Sequence, residues 1–270
     1  TLPLILRKIS PWGGSINPPL FFIKICLALL TKECQFDKIK SIKKIMENLS
    51  KRQKDILIYI AKEYTSSHTP VSSKILKEKY LKKYSPATLR NELFCLNEKG
   101  YLLKPHISAG RLLNDVGWEF VIQTYINDIL NQEIEESINL TNYDIEYLLK
   151  YISQSTGCLG IFKNEYLSYT GLIHIFKDMD LLEQDEVLEI VKDIDNLKDN
   201  LDKIENKLSY DNLYIAYQKN NPIFKSNKLI FIGFKSSNLN GMVGILGLKT
   251  MNYRNNLLFF KKLLNTIYER

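Results

Sequence analysis

Residues 85–113 read SPATLRNELFCLNEKGYLLKPHISAGRLL, a helix followed by a hairpin. Ser85 can cap a helix whose first position is Pro86, where the missing N–H costs nothing and the fixed φ is already helical. Leu89, Leu93 and Leu96 then fall on one stripe, which turns Ala87, Arg90, Asn91 and Phe94 away from it. Gly100 supplies the left-handed residue that ends such a helix. Tyr101 to Lys104 reads as a strand, Pro105 to Gly110 as a tip, and Arg111 to Leu113 as the returning strand. These residue types suit a DNA duplex. An α-helix fits the major groove, Arg can pair bidentately with guanine and Asn with adenine, and Ser or Thr hydroxyls reach phosphate or base edges. Ser85, Ala87, Thr88, Arg90 and Asn91 are therefore candidate DNA-binding residues. The hairpin adds His106, Ser108, Gly110 and Arg111: Ser108 and the amides near Gly110 suit phosphate, and Arg111 suits phosphate or the minor groove. Periodicity alone leaves an ordinary helical hairpin with a solvated Arg as the alternative.

Upstream, Ser50 and Gln53 have capping-box spacing, and Ile56, Leu57, Ile60, Ala61 and Tyr64 recur at helical intervals. That helix is expected to end near Tyr64, where Thr65-Ser-Ser-His-Thr-Pro70 reads as a break. Ser72 can cap a short second helix carrying Ile75, Leu76 and Tyr80 on one side, with Lys74, Lys77 and Lys79 around it. Two helices joined by a tight turn, then a reading helix and a hairpin, is the plan of a winged helix-turn-helix, expected over residues 41–113.

Charge is distributed to match. Residues 41–104 hold 14 Lys and Arg against 6 Asp and Glu, whereas residues 128–206 hold 6 against 18. A basic segment of domain size followed by an acidic one reads as a part that meets a polyanion and a part that faces away from it; solvated lysine-rich helices are the alternative. At 270 residues, with 45% hydrophobic and 25% charged, the chain has room for about two globular domains. Cys26, Cys34, Cys95 and Cys158 form no C-x-x-C pair and have no His at ligand spacing, so neither zinc nor a disulfide framework is expected, and reduced thiols in a cytoplasm are the default. Leu20 to Leu30 is apolar but interrupted by Lys24 and too short for a membrane span, and its flanks do not fit a signal peptide. Residues 1–40 read as an appendage. His68 and His174 stand alone. No G-x-S-x-G, phosphate loop or H-E-x-x-H occurs, so no enzyme, metal or cofactor is expected.

Asn114 or Asp115 can cap a helix bearing Trp118, Val121, Ile122, Tyr125, Ile126, Ile129 and Leu130, an apolar stripe wide enough to need a packing partner. Residues 114–150 are read as a linker and dimerisation helix. Val187, Ile190, Ile194, Leu197, Leu201, Ile204 and Leu208 alternate steps of three and four, so a heptad helix is expected over about 187–208, pairing within the chain or across a dimer. Leu229 to Phe234 and Met242 to Leu248 are strand-like runs, followed by an amphipathic helix through Tyr253, Leu257, Phe260, Leu264 and Ile267. The fold class expected is α+β, with residues 151–270 as the second domain.

Several of these motifs together resemble the heat-inducible transcription repressor HrcA family. They are Arg52-Gln53, Pro70-Val71 with Ser73-Lys74, Ser85-x-Ala87-Thr88-Leu89-Arg90-Asn91, and Pro105-His106-x-Ser108-Ala109-Gly110-Arg111, in the family's order and spacing. The departures are Ser72 for Gly, Ile107 for Thr, Leu113 and Asn114 for a Pro-Thr pair, and Trp118 for Tyr. Gly244-Ile-Leu-Gly247 with Met251 and Tyr253 resembles the family's closing strand-turn-helix, although Leu248, Lys249 and Thr250 replace Pro, Thr and Arg. Thr156-Gly157 and Tyr169 to Phe176 are similar to pieces of its larger domain. The resemblance covers residues 49–125 well and the rest in patches. It implies a shortened GAF-like domain over 151–270, and it adds Ser73 and Lys74 to the DNA-binding set. It further implies a homodimer on an inverted repeat (CIRCE) upstream of chaperone operons, repression of those operons, and a GroEL-type chaperonin as partner. A winged-helix replication initiator or a protein-interaction module is the alternative.

Overall fold

In the computed structural model the chain divides into two compact units, Thr1–Lys44 and Ile45–Arg270. The residues described are 49–268 without 107–108, 133–137, 139–143, 178–181, 206–207, 209, 211, 217–223, 225 and 227, all within the second unit. The appendage read over residues 1–40 lies outside them.

The capping box forms: Ser50 Oγ accepts from Gln53 N at 3.2 Å, and Gln53 Oε1 accepts from Ser50 N at 3.3 Å. The helix it opens, α1 (Lys51–Ser67), runs past the expected end at Tyr64 and closes on His68 in the left-handed region. The polar run Thr65-Ser-Ser does not break it because each hydroxyl bonds back to a carbonyl of the preceding turn, Ala61 O at 2.8 Å for Thr65 and Glu63 O at 2.9 Å for Ser66 and Ser67. Ser72 caps α2 (Ser73–Ile75), accepting from Ile75 N at 3.2 Å, and α2 continues as a π-helical turn, Leu76–Tyr80. Ser85 caps α3 (Pro86–Glu98), with Pro86 in its first turn and Leu89, Leu93 and Leu96 buried as the stripe requires. Gly100 then takes φ +72°, which an L side chain rarely adopts. Strands β1 (Leu102–Leu103) and β2 (Leu112–Leu113) pair antiparallel.

Asn114 caps α4 (Asp115–Asn131), accepting from Gly117 N at 3.0 Å. This helix joins the amino-terminal elements to the remainder. Trp118 lies between Tyr64 of α1 (ring centroids 6.4 Å apart) and Tyr253 (5.8 Å), and Phe120 meets Tyr101 edge-on. The wide apolar stripe thus finds its partner inside the chain. Lys261 Nζ donates to Ile129 O at 2.6 Å and Gln132 O at 2.5 Å, capping the carboxy-terminal end of the helix.

After α5 (Ile145–Thr156) come β3 (Leu159–Lys163), β4 (Leu167–Thr170), α6 (Ile173–Phe176), α7 (Gln184–Asp195), α8 (Leu197–Glu205), β5 (Tyr214–Ala216), β6 (Leu229–Ser236), β7 (Gly241–Leu248) and α9 (Tyr253–Tyr268). The five strands form one antiparallel sheet in the order β4-β3-β7-β6-β5. Alternate residues of β6 serve opposite layers: Ile230, Ile232 and Phe234 join α5, α9 and the amino-terminal helices, while Leu229 and Phe231 join α6, α7 and α8. The α+β class is as expected. The single heptad helix is not: it breaks at Asn196 into α7 and α8, with Leu208 beyond the second. Its stripe, Ile190, Leu197, Leu201, Ile204 and Leu208, is buried against the sheet, so this surface pairs within the chain.

Candidate nucleic-acid interface

The stripe of α3 is fully committed to the core, and what remains outside is the set read from the sequence. Ala87, Arg90, Asn91 and Phe94 are exposed, at positions i, i+3, i+4 and i+7 of one face. Ser85 is exposed too, but its hydroxyl is already engaged, accepting from Thr88 N at 3.0 Å and lying 2.9 Å from Thr88 Oγ1. Ser85 and Thr88 therefore build the end of α3 first. Helix-terminal N–H groups there carry partial positive charge that favours an anion.

The tilt of α3 is held by a polar network that the sequence did not disclose. Glu92 accepts from Arg52 Nε at 2.7 Å and from Gln53 Nε2 at 2.9 Å, Gln53 Oε1 accepts from Lys99 Nζ at 3.1 Å, and the Arg52 guanidinium lies 4.9 Å from the Tyr84 ring centroid. The middle of α3, its carboxy-terminal cap and Tyr84 just before it are tied by this network to the first turn of α1. The partners stand 39 and 40 residues apart, so only the Arg52-Gln53 pair of the resemblance pointed to it.

The second helix is anchored by an acid. Glu63, with its side chain 6% exposed, accepts from Lys79 Nζ at 2.5 Å and Tyr80 OH at 2.9 Å. The Lys79 ammonium, foremost, holds the Glu63 carboxyl below the usual range against the effect of burial. Burial and then the bond to Glu63 push the Tyr80 phenol up to about 12, and its ring stacks on Tyr59 at 4.6 Å. Ser73 is half-buried and Lys74 exposed at the start of α2.

The hairpin is fixed to the turn before α2. Val71 N donates to Arg111 O at 2.9 Å, and Arg111 N donates to Val71 O at 2.8 Å. Gly110 lies so close to this bridge that a Cβ there would sit 2.5 Å from Val71 C and 2.6 Å from Pro70 O. The Arg111 side chain is half-buried, and its Nε is buried without a hydrogen-bond partner among the described residues. His106 is exposed at the tip, and its carbonyl accepts from Ala109 N at 3.0 Å. Ser108, like Ile107, lies outside the described residues. Val71, Leu76, Leu89, Leu93, Leu102 and Leu113 share one buried cluster, which brings α2, α3 and the hairpin together.

Lys74, Lys79, Lys82, Lys83, Arg90 and Lys104 are exposed around these elements, whereas α7 and α8 are net acidic. Of these bases, Lys79, Lys82, Lys83 and Lys104 were not singled out as site residues, although the charge count contained them. Among the described residues no three His, Cys, Asp or Glu could hold a metal ion, and no helix is long and apolar enough to cross a membrane. Burial pushes the Cys158 thiol up to about 12, leaving it un-ionised at neutral pH.

No family model matches the chain. Its curated relatives include the heat-inducible transcription repressor HrcA of Mycoplasma genitalium, 45% identical over 78 residues, which are 29% of this chain and 23% of that protein. The protein of the same name from Desulforudis audaxviator is 34% identical over 125 residues, 46% of this chain and 36% of that one. That of Mycoplasmoides gallisepticum is 35% identical over 147 residues, 53% and 40% respectively. The chain thus spans well under half the length of these relatives. A crystal structure of a hypothetical protein shares its fold at a TM-score of 0.65 with 17% identity, covering 83% of this chain and 98% of that one. The resemblance read from the motifs is thereby shown over the aligned lengths: this chain is similar in sequence to the heat-inducible transcription repressor HrcA family.

Proposed function

We propose that the chain is a dimeric, sequence-specific transcriptional repressor that binds an inverted-repeat operator of heat-shock operons through a winged helix-turn-helix. One observation carries this reading: Ala87, Arg90 and Asn91 face outward on α3 beside a hairpin clamped to Val71 through Arg111. In this role α3 enters the major groove, with Arg90 and Asn91 at base edges. Ser73, Lys74, Ser85, Thr88, His106, Gly110 and Arg111 line the backbone path, and Ser108 joins this set from the sequence alone. The half-buried Arg111 side chain, on a hairpin beside α3, supports a phosphate contact through its guanidinium. Binding, not turnover, is the chemistry.

The reading assigns residues 41–113 to DNA, 114–150 to a linking and dimerising helix, and 151–270 to a shortened GAF-like domain. An inverted repeat needs a two-fold protein. The heptad stripe is occupied by the sheet, so dimerisation falls to residues 114–150 and to other surfaces of the carboxy-terminal half. A cytoplasmic location and a GroEL-type chaperonin as partner belong to the same reading, and rest on the resemblance of the motifs alone. The test is binding of the full chain to an inverted repeat found upstream of chaperone genes in the source genome, against a scrambled duplex, over a salt series. Operator preference at every salt is expected. Equal affinities that fall together with salt, as counterion release alone requires, would overturn it.

A further inference from the structure

The deepest reach of α3 is an aromatic ring that the reading above does not use. Phe94 is 60% exposed, on the face that carries Ala87, Arg90 and Asn91, while the other face of α3 is closed by Leu89, Leu93 and Leu96. A helix sorted this cleanly leaves the ring no place in its own core, so apolar surface stays in water until something covers it. The major groove offers one apolar group on a base edge, the thymine 5-methyl, and Phe is among the side chains that pack on it.

We infer that Phe94 is a specificity-determining residue that packs on a thymine methyl; this rests on the duplex-reading role proposed above. The helix places that thymine. Phe94 lies three residues beyond Asn91 and four beyond Arg90, about 4.5–6 Å along α3 at about 1.5 Å per residue. At about 3.4 Å per base step this is one to two base pairs from those read by Arg90 and Asn91. Each half-site then carries an A·T pair at that offset, toward the carboxy-terminal end of α3, with its thymine methyl turned to the ring.

Selection of bound duplexes from a randomised pool tests this, run in parallel on the full-length wild type, Phe94→Ala, Phe94→Leu, Arg90→Ala and Asn91→Ala. The wild-type pool should fix a thymine one or two pairs from the positions that relax in Arg90→Ala and Asn91→Ala. Phe94→Ala should lose that thymine alone, and Phe94→Leu should keep it. Replacing the thymine by deoxyuridine removes one methyl, which should weaken wild-type binding about fourfold and Phe94→Ala binding not at all. Retention of the thymine by Phe94→Ala, or an equal deoxyuridine penalty in both proteins, overturns the inference while leaving duplex reading intact. A uniform loss on all sequences with a changed sedimentation coefficient also overturns it, assigning the ring to a protein contact. A wild-type pool without any enriched sequence overturns the duplex-reading role itself, and this inference with it.

Discussion

Replacing Gly110 by Ala separates the two parts that this residue can play, because the crowding there is backbone against backbone. The new Cβ would meet Val71 C at 2.5 Å and Pro70 O and Val71 O at 2.6 Å, whereas carbon contacts settle near about 3.5–4.0 Å. No flexible side chain can swing aside, so the hairpin has to retreat from Val71 by about 1 Å. That stretches both Val71–Arg111 hydrogen bonds, now 2.9 and 2.8 Å, beyond useful length. At about 1 kcal/mol for each of the two bonds, with about 1–3 kcal/mol for overpacking, the variant should lose about 3–5 kcal/mol. Arg111 moves with the hairpin, so affinity should fall on operator and scrambled duplexes alike. Urea unfolding gives the first quantity and fluorescence anisotropy on the two duplexes the second. Stability within about 0.5 kcal/mol of wild type would refute the packing argument, since surface changes free of such a clash stay in that range. Unchanged affinity would remove the hairpin from the interface.

Arg90→Ala and Asn91→Ala should each cost about 1–3 kcal/mol on the operator and relax preference at separate base pairs, read by competition against single-base variants; equal losses on random DNA would refute their assignment. Arg111→Ala should instead weaken all sequences together and lower the slope of log affinity against log salt by about 1, measured by titration at several salt concentrations. Glu63→Gln should destabilise the protein at neutral pH by unpairing Lys79. Since the Glu63 carboxyl titrates below its ordinary value in the fold, its stabilisation is complete above that value and is lost as pH falls through the lowered one. The gap between wild type and variant, read from thermal unfolding between pH 7 and 3, should therefore close toward the acid end.

Helix starts were legible because caps are local: Ser50, Ser72, Ser85 and Asn114 each accept the backbone N–H their spacing requires. Helix ends were less so. Thr65, Ser66 and Ser67 look like a break until their hydroxyls return to the preceding turn, and Asn196 looks like one polar position in a heptad until it divides α7 from α8. Strands β6 and β7 stood out as long apolar runs, but β3 and β5 are short, and β4, at the sheet edge, lacks the alternation that marks a half-buried strand. The outward face of α3 followed from its leucine stripe alone. The anchoring of that face did not, since Arg52–Glu92 and Glu63–Lys79 join residues whose proximity only the fold creates.

Photo-crosslinking meets the central claim at the residue level. A photoreactive side chain at Ala87, exposed on α3 and too small for its loss to unfold the helix, is compared with one at Tyr166, exposed beside the sheet edge. With an operator duplex selected by the wild type, the probe at Ala87 should attach to bases at one fixed position of each half-site, and the probe at Tyr166 should not attach. Attachment from Tyr166 with none from Ala87 would contradict an α3 that reads DNA.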